Sequence, residues 1–156
     1  EETRMDVACG REVTDLHVFL QAWLTGTVPR DAATFARFGD VICDSFLIIS
    51  PLGTITDRAA LLPEFEASHG VLAPQAADFR IWIENCRCVR SLGDRALVLY
   101  EEWHSLGDAT SARLTTALFE RHPAAPNSVT WAHVHETWLP GHAPAAGERY
   151  PEPAPG

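Results

Sequence analysis

Lysine is missing from all 156 residues, and the twelve basic residues are arginines. Its absence excludes a Schiff-base lysine. The arginines form no cluster and the net charge is −9. A nucleic-acid binder carries a basic patch, so nucleic acid is not expected as a partner. No run of about 18 apolar residues occurs, which excludes a membrane-spanning helix. No charged segment leading into an apolar one and a small-residue cleavage site opens the chain, so no secretory signal is read and the cytoplasm is the expected location. Cys9, Cys43, Cys86 and Cys88 form no CxxC pair and no zinc-finger spacing. They are expected as reduced, partly buried thiols, with a disulfide or soft-metal site as the alternative. Gly-rich phosphate loops, GxSxG elbows and HExxH motifs are missing too. Nucleotide binding, α/β-hydrolase chemistry and zincin chemistry are therefore without support, and no cofactor is expected.

What is present is a core. Apolar residues make up 46% of the chain, which argues against disorder. One domain is the natural reading of this length. Residues 1–10 read as a polar lead. Residues 140–156 hold five Pro and three Gly and read as a flexible tail. The folded part is expected over 11–139.

The first stripe holds Val13, Leu16, Phe19, Leu20, Trp23 and Leu24, the spacing of an amphipathic helix over 12–24. Gly26 is its stop. Asp31 caps a second helix that buries Phe35 and Phe38. The segment SFLIIS then runs as a strand into the turn Pro51-Leu52-Gly53. Asp57 caps a third helix with Leu61, Leu62 and Phe65 inward, ended by Gly70. The period then changes to two. Strands are predicted from Phe79, over 96–105, over 113–121 and over 129–139, with turns at Gly93-Asp94 and at 106–108. Helices segregated from a strand meander imply an α+β fold.

This order resembles the nuclear-transport-factor-2-like superfamily, in its SnoaL-like branch. The opening helices, the segment SFLIISPLGTITDRAALL and the closing segment WAHVHETW (Trp131 to Trp138) carry the resemblance. It implies a cone: a strongly curved antiparallel sheet wrapped around three helices, enclosing a pocket. It also implies a homodimer formed through the outer sheet face. Ketosteroid-isomerase-like members of the superfamily carry an Asp base immediately before the turn proline. Here that position is Ser50, so that mechanism is not carried over.

Strand parity then sorts the candidate residues. Leu97, Leu99, Glu101 and Trp103 share one face, and Tyr100, Glu102 and His104 the other. Val134, Glu136 and Trp138 oppose Trp131, His133 and His135. Glu101, Glu120 and Glu136 each interrupt an apolar face. Lining a cavity, such a carboxylate has a raised pKa and serves as acid or base; at a rim, it pairs with Arg113 or Arg121. His133 and His135 could share a metal with Glu102 or His104. The strand at 113–121 should separate His104 from His135 by about 10 Å, so no metal is assigned; the alternative is an interface face. Trp23, Phe46, Trp82, Trp103 and Trp138, with Ser50, are candidate substrate-binding residues. The reading is a cofactor-independent isomerase, cyclase or hydrolase acting on a small apolar, cyclic or polyketide-like molecule. Glu136, Glu101, one of His133, His135 or His104, and Tyr100 would carry the chemistry. The alternative is a non-catalytic ligand-binding or association module.

Overall fold

The computed structural model describes residues 4–145. Three helices, α1 (Met5–Thr25), α2 (Ala32–Gly39) and α3 (Arg58–Ala67), accompany six strands. The strands are β1 (Ile42–Ile49), β2 (Ile55–Asp57), β3 (Phe79–Leu92), β4 (Arg95–Leu106), β5 (Ala109–Arg121) and β6 (Val129–Trp138). They form one open sheet in the order β2-β1-β6-β5-β4-β3. The element order matches the expected one, and β5 does lie between β4 and β6.

Three local expectations change. The lead is shorter, because α1 starts at Met5 and buries Met5, Ala8 and Cys9. These residues extend the same three-and-four spacing backward from Val13. The sheet is mixed, because β1 runs parallel to β6 while every other joint is antiparallel. A parallel joint needs a long crossover, and the whole chain between β1 and β6 supplies it. Most of the expected tail at 140–156 lies outside the described residues, but its first part is fixed. The Ala112 N–H donates to the His142 carbonyl at 2.9 Å, and the His142 ring meets Trp103 edge-on at 4.8 Å.

The helix ends follow the sequence. The Asp31 carboxylate accepts from the Thr34 N–H at 2.8 Å, and Asp57 accepts from Ala60 at 2.9 Å. Gly26 takes φ +72°, and a Cβ there would lie 3.2 Å from the Gly70 Cα. This close backbone approach lets the Gly70 N–H donate to the Trp23 carbonyl at 2.9 Å.

The core lies between the helices and the sheet face that carries Phe79, Val98, Phe119 and Trp131. Among its buried carboxylates, Glu12 joins the most elements. Glu12 is fully buried and accepts from Arg37 twice, at 2.7 and 3.1 Å, from the Asn127 amide at 3.0 Å and from the Trp131 indole at 2.9 Å. It ties α1 to α2, to the β5–β6 connection and to β6. A buried charge with this many donors is tolerated; removing it strands all of them. Glu12→Ala should lower unfolding stability by about 3 kcal/mol, read from urea denaturation. An unchanged midpoint would show that these contacts are dispensable.

Candidate functional site

The site is set by which side chains the sheet turns toward the helices. On β4 these are Ala96, Val98, Tyr100, Glu102 and His104, all buried. On β5 they are Arg113, Thr115, Ala117 and Phe119, also buried. Register aligns them into rungs. Tyr100 opposes Thr115, which opposes Glu136; Glu102 opposes Arg113, which opposes Trp138.

β6 reaches this face through a bulge. Phe119 pairs with Trp131 and Leu118 with His133, so Ala132 is an extra residue on β6. The bulge moves Trp131 onto the face of Val134, Glu136 and Trp138. Simple alternation had put Trp131 with the histidines.

A small cavity opens between α1, α2, α3 and this face, with a volume of about 60 Å³. Its walls are mainly apolar, with Leu16, Leu20, Phe38, Phe46, Ile48 and Val134 among them. Its polar side is made by His17, Tyr100, Glu102 and Glu136.

The hydrogen bonds of His17 define its state. Its Nδ1 lies 2.7 Å from the Val13 carbonyl, which can only accept, so Nδ1 donates. Its Nε2 lies 2.9 Å from Glu102 Oε1. One proton must therefore sit between His17 and Glu102. Burial alone pushes the His17 pKa down, but the Glu102 charge and hydrogen bond outweigh it, and the net shift is upward. Burial pushes Glu102 up, yet the His17 charge and the hydrogen bonds from His104 and His17 hold its carboxyl well below the usual range. The pair is an imidazolium facing a carboxylate. His104 Nε2 donates to the other oxygen, Glu102 Oε2. Beside this group, Arg113 donates to Glu136 at 3.2 Å and lies over the Trp138 ring, 5.0 Å from its centroid. Tyr100 meets His17 and Trp131 edge-on, at 5.6 and 6.4 Å. Burial, followed by the Glu102 and Glu136 charges, pushes its phenol well above the ordinary value. It stays a neutral O–H.

The expected residues divide sharply. Glu136 and Tyr100 line the cavity, as does Phe46. His104 is on the same sheet face and holds Glu102. Glu101 is on the opposite face, where Asn85 and the Trp103 indole donate to it at 2.8 and 3.0 Å. Glu120 lies on that face too, 3.9 Å from Arg95. Of the three carboxylates expected to line the cavity, only Glu136 does. His133 and His135 also face away, His133 half-buried and His135 exposed. Among the proposed substrate-binding residues, Trp82 and Trp103 stack on each other on the outer face, 5.8 Å between centroids. Trp23 is buried among Phe35, Phe65 and His69 and does not reach the cavity. Trp138 serves Arg113. Ser50 closes its own turn, its Oγ accepting from the Leu52 and Thr54 N–H groups at 3.2 Å each. The sequence reading missed His17 as a site residue. The signal was there: His17 lies four residues after Val13 and three before Leu20, on the buried stripe itself.

Among the described residues, no group of three or more His, Cys, Asp and Glu side chains is arranged to hold a metal ion. Nor is any described helix long and apolar enough to cross a membrane.

Residues 9–140 match the family described as sucrose-6-phosphate phosphohydrolase C-terminal. The chain is 27% identical to sucrose-phosphatase 2 of Nicotiana tabacum over 133 residues, which is 85% of this chain and 31% of that protein. Sucrose-phosphatase 1 of the same plant gives 26% identity over the same shares. The chain thus spans about a third of the length of these relatives. Among solved structures, an NTF-2-like protein of unknown function from Pseudomonas aeruginosa is 26% identical with a TM-score of 0.71, over 85% of this chain and 98% of that one. The S. rosetta CaMKII hub superposes with a TM-score of 0.67 at 13% identity, over 89% of this chain and 100% of that one. A hexachlorocyclohexane dehydrochlorinase, LinA-type3, from Novosphingobium barchaimii gives 0.50 at 12% identity, over 92% and 96%. At such identities the last two speak to fold alone. The fold is NTF2-like.

The His17–Glu102 pair has a pH signature. His17, with its pKa raised by folding, adds stability that is complete below about 6.5 and is lost as pH rises through the folded value. Glu102, with its pKa lowered, adds stability that is complete above about 4.3 and is lost as pH falls through the folded value. Their joint contribution should therefore peak between about pH 4.3 and 6.5. Urea midpoints across pH should decline on the alkaline side, and His17→Gln should remove that decline. A wild-type curve that still rises above pH 8 would contradict the ion pair.

Proposed function

The chain belongs to the sucrose-6-phosphate phosphohydrolase C-terminal family, and on that premise we propose that it is a small-molecule-binding accessory module rather than a hydrolytic one. The observation that carries this reading is an apolar cavity whose charged groups are already spoken for. Glu102 holds two histidines, both nitrogens of His17 are engaged, and Glu136 holds Arg113. A general acid or base must reach the proton it moves; these groups reach one another. Acid–base turnover as an isomerase, cyclase or hydrolase is accordingly the weaker reading, although Glu136 and Tyr100 do face the cavity.

Size narrows the occupant. Pockets for drug-sized molecules span roughly 300–1,000 Å³, and this cavity is about 60 Å³. A polyketide or a sugar phosphate exceeds it as it stands. A compact apolar molecule fits better.

Two measurements test the reading. Compact apolar fragments titrated against methyl-labelled protein should shift Leu16, Leu20, Ile48 and Val134 together. Ile48→Phe, which fills the cavity, should abolish those shifts while the far-ultraviolet spectrum is retained. The chain alone should release no phosphate from sucrose 6-phosphate above the buffer rate; release would make it a hydrolase and end the accessory reading.

A second copy of the chain is the partner we propose for the outer sheet face. That face carries Leu47 and Trp82, exposed to 39% and 37%, with Leu97, Leu99, Leu114, Leu118 and His133 half-buried among them. A broad apolar face of this kind marks an interaction surface, and an isologous pair of such faces closes a dimer. Light scattering should give twice the chain mass for the wild type and the single-chain mass for Leu118→Asp with its fold intact. A wild-type monomer at micromolar concentration would refute the dimer.

A further inference from the structure

His133 and His135 are two residues apart on β6, so both imidazoles leave the sheet on the face turned away from the helices. In the ladder Leu47 and Leu118 lie opposite His133, and Ile49 and Thr116 lie opposite His135. No carboxylate or arginine stands opposite either ring, and neither ring has a hydrogen bond or ion pair to a described residue. A neutral imidazole offers one lone pair and is the commonest metal-ligating side chain. Two imidazoles are thus held side by side among mainly apolar neighbours, with no task inside the chain. Glu102 and His104, the further ligands expected for this pair, are buried on the inner face and bind each other.

One chain supplies only these two. Same-face residues on a strand are roughly 6.6 Å apart, close enough for two imidazoles to converge on one ion, but a structural zinc takes four ligands. The position of β6 supplies the rest. It is third of six in the sheet order, beside β5, so the pair lies near the middle of the sheet. When two identical faces close on each other, the two-fold axis passes through the middle of the shared patch and brings each residue near it close to its own copy. Facing sheets stand about 10 Å apart, which leaves ~5 Å to each side, the span of an imidazole from its Cα to its far nitrogen. Two imidazoles from each copy then meet at the midplane, within the ~2 Å reach of a zinc–nitrogen bond. Charge acts in the same direction. Each chain carries a net charge of −9, so two chains repel, and a divalent cation in the seam offsets part of that repulsion.

Resting on the dimer reading above, we propose that His133 and His135 are half of a metal site, completed by the same two residues of a second copy and taking one divalent cation of the zinc class per pair of chains. Imidazole donors suit zinc, copper and nickel, and four of them in a tetrahedral shell suit zinc. With every position filled by protein, the site is structural: it clamps the two sheets and leaves no open position for a substrate. The apolar residues around it shut out water, and the ion joins the two chains through neutral side chains.

Zinc chloride added to chelator-stripped, tag-free protein tests this, with retained zinc measured after dialysis and mass read by light scattering at falling protein concentration. Wild type should retain one zinc per two chains, and zinc should tighten the dimer by about tenfold or more. Cobalt chloride in its place should give the intense visible absorption of a tetrahedral ion. His133→Gln and His135→Gln should each lose the retained zinc and the tightening while the far-ultraviolet spectrum is unchanged. Leu118→Asp, which separates the chains, should retain no zinc although both its histidines are present. One zinc per chain, zinc retained by both histidine variants, or a dimer indifferent to zinc overturns the proposal and leaves the dimer reading standing. A chain that stays single with and without zinc ends both.

Discussion

The Glu102 carboxylate is buried, and much of the molecule is arranged around its charge. Two histidines from different elements meet its two oxygens, His17 descending from α1 and His104 lying two residues on along β4. Desolvating an isolated carboxylate costs several kcal/mol, so α1 cannot slide or rotate without exposing that cost. The register of α1 against the sheet is thus set by an ion pair as well as by apolar spacing. The same pair fixes a proton inside the core, and Tyr100 and Trp131 pack edge-on around the imidazolium that carries it. Breaking one partner of such a pair is far more damaging than replacing both, which makes His17 and Glu102 a single unit.

A second buried carboxylate, Glu12, lies five residues earlier on the same helix and binds outward to Arg37, Asn127 and Trp131. One helix is therefore anchored twice, once by a carboxylate it contributes and once by a carboxylate it receives. Trp131 touches both arrangements: its indole donates to Glu12, and its ring lies 6.2 Å from His17. The cavity sits within this frame. Its walls are pinned by charges that are satisfied elsewhere, so what it offers an occupant is apolar surface and the Tyr100 hydroxyl. That division explains why a site rich in titratable residues reads as a binding site.

The helices and strands were largely legible in the sequence because each rests on local rules. The Val13–Leu16–Leu20–Trp23 stripe, the Asp31 and Asp57 caps and the glycine stops act within one or two turns of chain. The start of α1 was placed too late because Glu1, Glu2 and Arg4 look polar, although Met5, Ala8 and Cys9 continue the stripe. The inner face was harder to read. Both faces of β4 and β5 alternate apolar and polar residues, so Leu97, Leu99 and Leu114 look as core-like as Val98 and Ala117. Alternation gives two sets and no means of choosing between them; only the position of the helices chooses. The polar side of the cavity was obscured for a related reason. His17 and Glu102 become intelligible as a pair only when the fold closes a sequence separation of 85 residues.

Ala132 shows how much can hang on one position. Upstream of it β6 points odd-numbered side chains toward the helices, and downstream it points even-numbered ones. The strand is thus two phases joined at a single residue, a slip of half a pleat. Had the same residues alternated regularly from Trp131, with no bulge at Ala132, they would lie in the opposite compartments: carboxylate on the surface, histidines within. No difference in sequence would register the change, yet the interior would have exchanged its acid for two bases. For chains of this kind, whether position 132 bulges out of the ladder carries more chemical meaning than many substitutions.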